Sequence, residues 1–279
     1  MIKTSRQLKD LIRNLSAKKK TEPLVLMRNY MMERFIERLS KSKHKDQLIL
    51  KGGMLITAMV GLDTRTTMDL DTTIKGIQLD PNAIETLIND IISLNVDDGV
   101  SFRINTITEI MEGADYPGLR VSLEADFDGV KIPFKIDFST GDIVTPREVA
   151  FDFPLLFENR NISVLAYPLE TVLAEKLETI LSRSITNTRM RDLYDVYILM
   201  NLYRDKLNPE TLKQAFLATA KKRGFTVSDE KSQVIIDAVE TDSSQQVLWA
   251  SYQKKFNYAE NVDWSDVISA LRELIGLIK

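Results

Sequence analysis

Two consecutive segments, Leu48-Ile49-Leu50-Lys51-Gly52-Gly53-Met54-Leu55 and Thr67-Met68-Asp69-Leu70-Asp71-Thr72-Thr73-Ile74, decide how the rest of this chain is read. The first is a short apolar run that breaks at a glycine pair and reopens as a helix over Met54 to Val60. The second alternates like a strand. Successive side chains on a strand point to opposite faces, which puts Asp69 and Asp71 on one face and Met68 and Leu70 on the other. Two carboxylates about 6–7 Å apart repel unless a cation lies between them. An oxygen-rich pair of this kind suits Mg²⁺, which takes one or two carboxylates and fills its shell with water and substrate phosphates. The glycine pair lets backbone approach a ligand and presents N–H groups at a helix start, where phosphate oxygens bind. Each part alone also reads as an ordinary turn or a solvated strand face; the combination points to a metal–nucleotide site.

Composition narrows the classes. The chain has 279 residues, long for one compact domain, so two are expected. Apolar residues at 44% and charged residues at 28% fit a globular protein with a real core. A net charge of −3 gives no global attraction to nucleic acid, which leaves any such binding to local patches. There is no cysteine, which excludes disulfides and thiolate-bound zinc and fits a reducing compartment. The lone histidine, His44, lies in the basic loop Lys41-Ser42-Lys43-His44-Lys45, a poor place for a Ser-His-Asp triad. No apolar run is long enough to span a membrane and the N-terminus is polar, so the sequence reads as a cytoplasmic protein without membrane contact.

Upstream of the deciding stretch, Leu8, Leu11, Ile12 and Leu15 recur at helical spacing. Pro23 then opens an amphipathic helix to Leu39, with Leu24, Met27, Tyr30, Met31, Phe35 and Leu39 as its stripe. Downstream, Pro81 to Leu94 reads as a helix and Ser101 to Ile110 as a strand. A hairpin follows. Leu119, Val121, Leu123, Ala125 and Phe127 alternate with polar residues, Asp128-Gly129 supplies a two-residue turn, and Val130 to Ser139 alternates back. Pairing Phe127 with Val130 aligns every apolar residue on one face and sets Asp137 across from Arg120 on the other. Pro133 costs a ladder bond and predicts a bulge in that register. Asp137, in Ile136-Asp137-Phe138-Ser139-Thr140-Gly141-Asp142, is a candidate third carboxylate for a divalent metal; a solvent-facing strand end is the plainer alternative.

Near Asn161 to Tyr167 the pattern changes to helices, giving a boundary at 162: an α/β domain over 1–162 and a helical domain over 163–279 that completes the cleft. On the helix from Pro168 to Ser182, the apolar stripe is Leu169, Val172, Leu173, Leu177 and Ile180, and Lys176 falls in its middle. An unpaired buried ammonium is expensive, so Lys176 must snorkel, pair, or face negative charge such as a triphosphate. The helix Arg189 to Tyr203 carries Asp192 and Asp195 along one flank, with Leu193, Val196, Tyr197 and Met200 as its main stripe. Tyr194, Ile198 and Leu202 make the rest of its surface apolar, so it reads as well buried and its carboxylates need partners. Arg183, Arg189 and Arg191 could supply ion pairs; alternatively a carboxylate serves as base or orients Lys176. The remaining chain reads as helical scaffold, over Pro209 to Lys222, Asp229 to Val239, Gln246 to Tyr258 and Val262 to Lys279. Lys221-Lys222-Arg223 and Lys254-Lys255 are candidate nucleic-acid contacts, with plain surface as the alternative.

Four of these signals form an ordered set. Lys51-Gly52-Gly53 with Asp69-Leu70-Asp71, Ile136 to Asp142, Glu170-Thr171-Val172-Leu173-Ala174-Glu175-Lys176, and Arg191-Asp192-Leu193-Tyr194-Asp195 together resemble the four motifs of the AbiEii/AbiGii toxin family. The resemblance implies an α+β fold: a nucleotidyltransferase-like mixed sheet flanked by helices, followed by an all-α C-terminal domain. It implies the toxin of a type IV toxin–antitoxin system tied to phage abortive infection. Its antitoxin partner need not touch it. It further implies nucleotide transfer from an NTP, GTP or another, with Mg²⁺, to an acceptor such as the 3′ end of tRNA or another RNA. Carried over, Asp69 and Asp71 would be metal ligands, with Asp137, from its strand position, the candidate third. Lys51, Gly52, Gly53 and Lys176 would contact the triphosphate, and Asp192 or Asp195 would be the carboxylate of the fourth motif. Many nucleotidyltransferases carry Gly-Ser where this chain has Gly52-Gly53, so a phosphate-binding hydroxyl is missing there. Two rival readings are a non-catalytic nucleotide-binding regulator and a helical partner-binding protein.

Overall fold

The computed structural model describes residues 2–112, 116–226 and 228–279. The chain divides into two units, one of residues 1–141 with 148–166 and one of residues 142–147 with 167–279.

The first unit is a mixed sheet with helices. Its helices are α1 (Ser5–Lys19), α2 (Pro23–Lys41), α3 (Gly52–Val60) and α4 (Pro81–Ile92). Its strands are β1 (Leu48–Lys51), β2 (Asp69–Ile74), β3 (Val100–Glu112), β4 (Tyr116–Phe127), β5 (Val130–Ser139), β6 (Val149–Pro154) and β7 (Asn161–Ala166). Their order across the sheet is β3-β4-β5-β2-β1-β7-β6. β2 runs parallel to β5 and β1 parallel to β7, while the other neighbours are antiparallel. Local signals set several ends. Thr4 and Asp80 accept N–H bonds at the starts of α1 and α4, and Pro23 and Pro81 occupy first helical turns, where a missing N–H costs nothing.

The hairpin has the register its alternation predicts: Phe127 pairs Val130 and Arg120 pairs Asp137. Pro133 introduces no slip there; it sits opposite Glu124 in unbroken register, and the irregularity falls instead between β3 and β4 at Ile104/Thr106. Every second residue of β4 and β5, from Leu119 to Phe127 and from Ile132 to Phe138, is buried. α2 packs on β5 and α4 on β3. Phe35 of α2 meets Phe102 and Phe134 edge-on, at 6.2 and 6.4 Å between ring centroids.

α2 departs from the expected stripe. Leu24 at its start is 53% exposed, whereas Glu33, Arg34, Glu37 and Arg38 are buried. Arg34 pairs with Glu33 at 2.5 Å and Glu37 at 2.9 Å, Arg160 reaches Glu37 at 3.0 Å, and Arg38 forks onto Asp98 with two bonds of 2.7 Å. A helix read only by its apolar residues hides such a layer, because buried charges are tolerated once paired. Burial pushes the Glu33 carboxyl up to about 7, against the pull of Arg34 and the Leu156 N–H. Burial acts on Glu37 in the same direction, but bonds from Arg160 and Lys41 and the charge of Arg34 outweigh it and bring that carboxyl down to about 2.

The second unit is helical: α5 (Leu169–Arg183), α6 (Met190–Tyr203), α7 (Pro209–Lys222), α8 (Asp229–Thr241), α9 (Ser243–Lys255) and α10 (Trp264–Leu277). It begins at Tyr167 because β7 is bonded into the sheet through Ala166, which pairs with both Leu50 and Val149. Asn208, Ser228 and Asp242 cap α7, α8 and α9 through their side chains. The Asp242 cap explains why α9 starts three residues before the helix expected from Gln246 and ends at Lys255. Leu202 is 50% exposed, so α6 is buried over most, not all, of its surface. Residues 142–147 join this unit, where Thr145 exchanges two 3.0 Å bonds with the buried hydroxyl of Thr171.

Candidate active site

The sheet brings Asp69, Asp71 and Asp137 together. Asp71 is in register with Asp137 on β5 and with Lys51 on β1, and Asp137 with Arg120 on β4. Directly paired residues share a face, so Arg120, Asp137, Asp71 and Lys51 form one row of alternating charge. Asp69 lies two residues along β2, in register with Lys135. Burial raises the Asp69 carboxyl above its ordinary value, and the charges of Asp71 and Asp137 add to this against Arg120 and Lys135. Arg120 grips Asp137 with two bonds, Nε–Oδ1 at 2.7 Å and Nη2–Oδ2 at 2.6 Å. Asp137 is therefore paired within the sheet by Arg120, while Asp69 and Asp71 follow each other along one face of β2. Met68 lies before the strand and is 44% exposed, unlike the fully buried Leu70.

The glycine pair is fixed by this row. Gly52 has φ +61°, and a Cβ there would lie 2.0 Å from Oδ2 of Asp71. The Gly53 N–H donates to that same oxygen at 3.2 Å. A Cβ on Gly53 would lie 2.5 Å from Oγ1 of Thr67, itself buried, and 3.5 Å from Nη2 of Arg65. A side chain at position 53 would therefore collide with the Thr67 hydroxyl, which donates to the Asp69 carbonyl at 3.2 Å. Reading the sequence by motif passes over Thr67 and Arg65. No spacing in the sequence marks Thr67, which precedes β2 and meets Gly53 across the turn.

In the second unit Lys176 pairs rather than snorkels. Its side chain is 15% exposed and its ammonium bonds Asp192 and lies 2.9 Å from Asp195. Arg189 adds a contact of 3.0 Å to Asp192. The i, i+3 spacing on α6 presents both carboxylates to the one residue of α5 that interrupts its apolar stripe. Arg223, within a candidate nucleic-acid patch, bonds Glu178 at 2.5 Å and is a structural cation instead.

The family model described as the nucleotidyl transferase AbiEii toxin of type IV toxin–antitoxin systems matches residues 34–270. The chain belongs to the AbiEii family. No curated protein matches it by sequence. Among solved structures, JHP933 from Helicobacter pylori is similar at 16% identity with a TM-score of 0.47, over 91% of each chain. An antigenic nucleotidyltransferase-like protein from Paracoccidioides brasiliensis is similar at 14% identity with a TM-score of 0.38, over 80% of this chain and 91% of that one. Membership in AbiEii makes the protein a nucleotidyltransferase of the toxin type, and the mixed sheet followed by a helical unit is the expected α+β architecture. No described helix is long and apolar enough to cross a membrane.

The donor set of this AbiEii member fits a hard divalent cation as a two-carboxylate site. Asp69 and Asp71 offer oxygens on one strand face, and a cation would relieve the repulsion that raises Asp69. Among the described residues no group of three His, Cys, Asp or Glu side chains is arranged to hold a metal, in keeping with the Arg120 grip on Asp137.

Proposed function

We propose that this toxin transfers a nucleotide from an NTP, GTP or another, to the 3′ end of an RNA, tRNA being the expected acceptor, with Mg²⁺ held by Asp69 and Asp71. The observation that carries this reading is the crowding of carboxylates on one sheet face, where Asp69 is raised by burial and by Asp71 and Asp137, next to the opening turn of α3. When bound, the ion would supply charge stabilisation to the attacking and leaving oxygens. The chain's own residues do the rest. The Gly53 N–H is taken by Asp71, which leaves the other first-turn N–H groups of α3, without partners inside the helix, as the proposed donors to phosphate oxygens. Lys51 adds positive charge in the row of Asp71. Lys176 is the proposed counter-charge for the triphosphate, held ready by Asp192 and Asp195. One of those two carboxylates is the proposed acceptor of the hydroxyl proton. With NTP and RNA as its proposed substrates, the proposed compartment of the reaction is the cytoplasm. The toxin would act in phage abortive infection, its antitoxin opposing it without a required contact.

The test is incorporation of each labelled NTP into total tRNA. Asp71→Asn removes one anionic oxygen and preserves shape; incorporation is expected to drop at least 100-fold with the melting temperature unchanged. Wild-type incorporation in the variant refutes the assignment. Binding of Mg²⁺–NTP by the wild type without turnover on any RNA would make it the regulator.

A further inference from the structure

The second unit carries a surface that the nucleotide chemistry above does not use. Phe256 and Tyr258 follow α9, both half-buried, with ring centroids 5.3 Å apart and planes within 25°. Tyr252 and Tyr194 hold them from below: Tyr252 lies 4.6 Å from Phe256 and Tyr194 4.8 Å from Tyr258. The guanidinium of Arg191 lies over the Phe256 ring at 5.4 Å and the ammonium of Lys255 at 5.5 Å. Lys254 and Lys255 are exposed. Among the described residues no carboxylate pairs with Arg191, Lys254 or Lys255. Arg189, by contrast, is paired two positions earlier, and Arg204, Arg223 and Arg272 are paired elsewhere in the unit.

Rings serving only a core would be covered, and lysines serving only solubility need no ring beneath them. Aromatic faces bordered by cations without carboxylate partners match the chemistry of a single-stranded nucleic acid, in which an unpaired base stacks on a ring and the flanking phosphates meet Arg and Lys. Arg191 also directly precedes Asp192, so the surface and the Lys176–Asp192–Asp195 cluster share the first turns of α6. We infer that Arg191, Lys254, Lys255, Phe256 and Tyr258 form the seat for the single-stranded end of the RNA acceptor. This rests on the nucleotide-transfer reading, and names the part of the acceptor that the second unit recognises.

The experiment measures four quantities on full-length wild type, Lys254→Glu/Lys255→Glu and Phe256→Leu. They are anisotropy of a fluorescein-labelled single-stranded RNA of about a dozen nucleotides, incorporation of labelled NTP into total tRNA, calorimetry with Mg²⁺–NTP, and the melting temperature. The double variant, altered only at exposed positions, is expected to fold normally and to bind the RNA at least ~10-fold more weakly at 0.1 M salt, with a shallower salt dependence. Phe256→Leu is expected to lose about 5- to 100-fold, the range for one stacked base. NTP affinity should stay within twofold in both. RNA binding within twofold of wild type in the folded double variant overturns the seat. A parallel loss of NTP and RNA affinity also overturns it, because the surface would then serve the NTP base. If wild type neither binds nor modifies RNA, the acceptor reading itself fails, and the seat with it. If wild type modifies RNA and both variants do so equally well, only the seat fails.

Discussion

Gly52 and Gly53 show how a site can be dictated by what surrounds it. At Gly52 the backbone is left-handed and the space for a Cβ is filled by Asp71. Gly52→Ala is therefore expected to cost about 1–3 kcal/mol in backbone strain alone and to displace Asp71, with nucleotide transfer falling at least as far as the melting temperature would suggest. A preparation of Gly52→Ala with wild-type stability and turnover would contradict this. Restoring the more common serine at position 53 should harm rather than help, since it meets the Thr67 hydroxyl. Gly53→Ser alone is expected to lose activity, and Gly53→Ser with Thr67→Ala to regain part of it. Additive losses in that double-mutant cycle would show the two positions to be independent. The glycines and both carboxylates were legible as a pattern. Thr67 was not, because what assigns its role is a distance across a turn rather than a spacing.

Helices α5 and α6 carry the clearest case of an element explained by its misfit. Lys176 interrupts an apolar stripe, which left it to snorkel, pair or face negative charge; it pairs with Asp192 and Asp195, which needed a partner themselves. Lys176→Met removes the ammonium that both buried carboxylates share and is expected to destabilise the protein by about 3–5 kcal/mol, seen as a lowered denaturation midpoint. Lys176→Met with Asp195→Asn should recover much of that stability and none of the activity. Recovery of turnover in the double variant would assign the cluster a purely structural role. The hairpin β4–β5 was equally legible, since alternation and a two-residue turn fix register. Proline was the wrong guide there: Pro133 sits in an unbroken register, and the slip between β3 and β4 has no marker residue in the sequence. β6 had no periodicity strong enough to announce it, and is a strand because β7 offers it an edge.

Across the first unit, the charges of α2 link segments far apart in the chain, from Glu33 to Asp98 and Arg160. Composition could not reveal this layer, since its residues look like an ordinary solvated helix face. It gives stability a pH dependence whose sign is fixed. Folding holds a proton on Glu33 to about pH 7. The unfolded chain releases that proton near 4.5, so this contribution, about 3 kcal/mol, is present below 4.5 and lost as pH rises through 7. Glu37 acts in the opposite sense, contributing above 4.5 and losing its effect as pH falls toward 2. Wild-type melting temperature should decline between pH 5 and pH 8, and Glu33→Gln should flatten that decline. An equally steep slope in the variant would locate the dependence elsewhere. The division into units has its own consequence. The chain passes between them three times, at 141/142, 147/148 and 166/167, so no single cleavage of the polypeptide yields two self-sufficient fragments. A C-terminal piece begun at Tyr167 would leave Thr171, deep in its interior, without the backbone of Thr145 to bond to. Exchange of this protein's helical unit for another would have to carry that six-residue detour along.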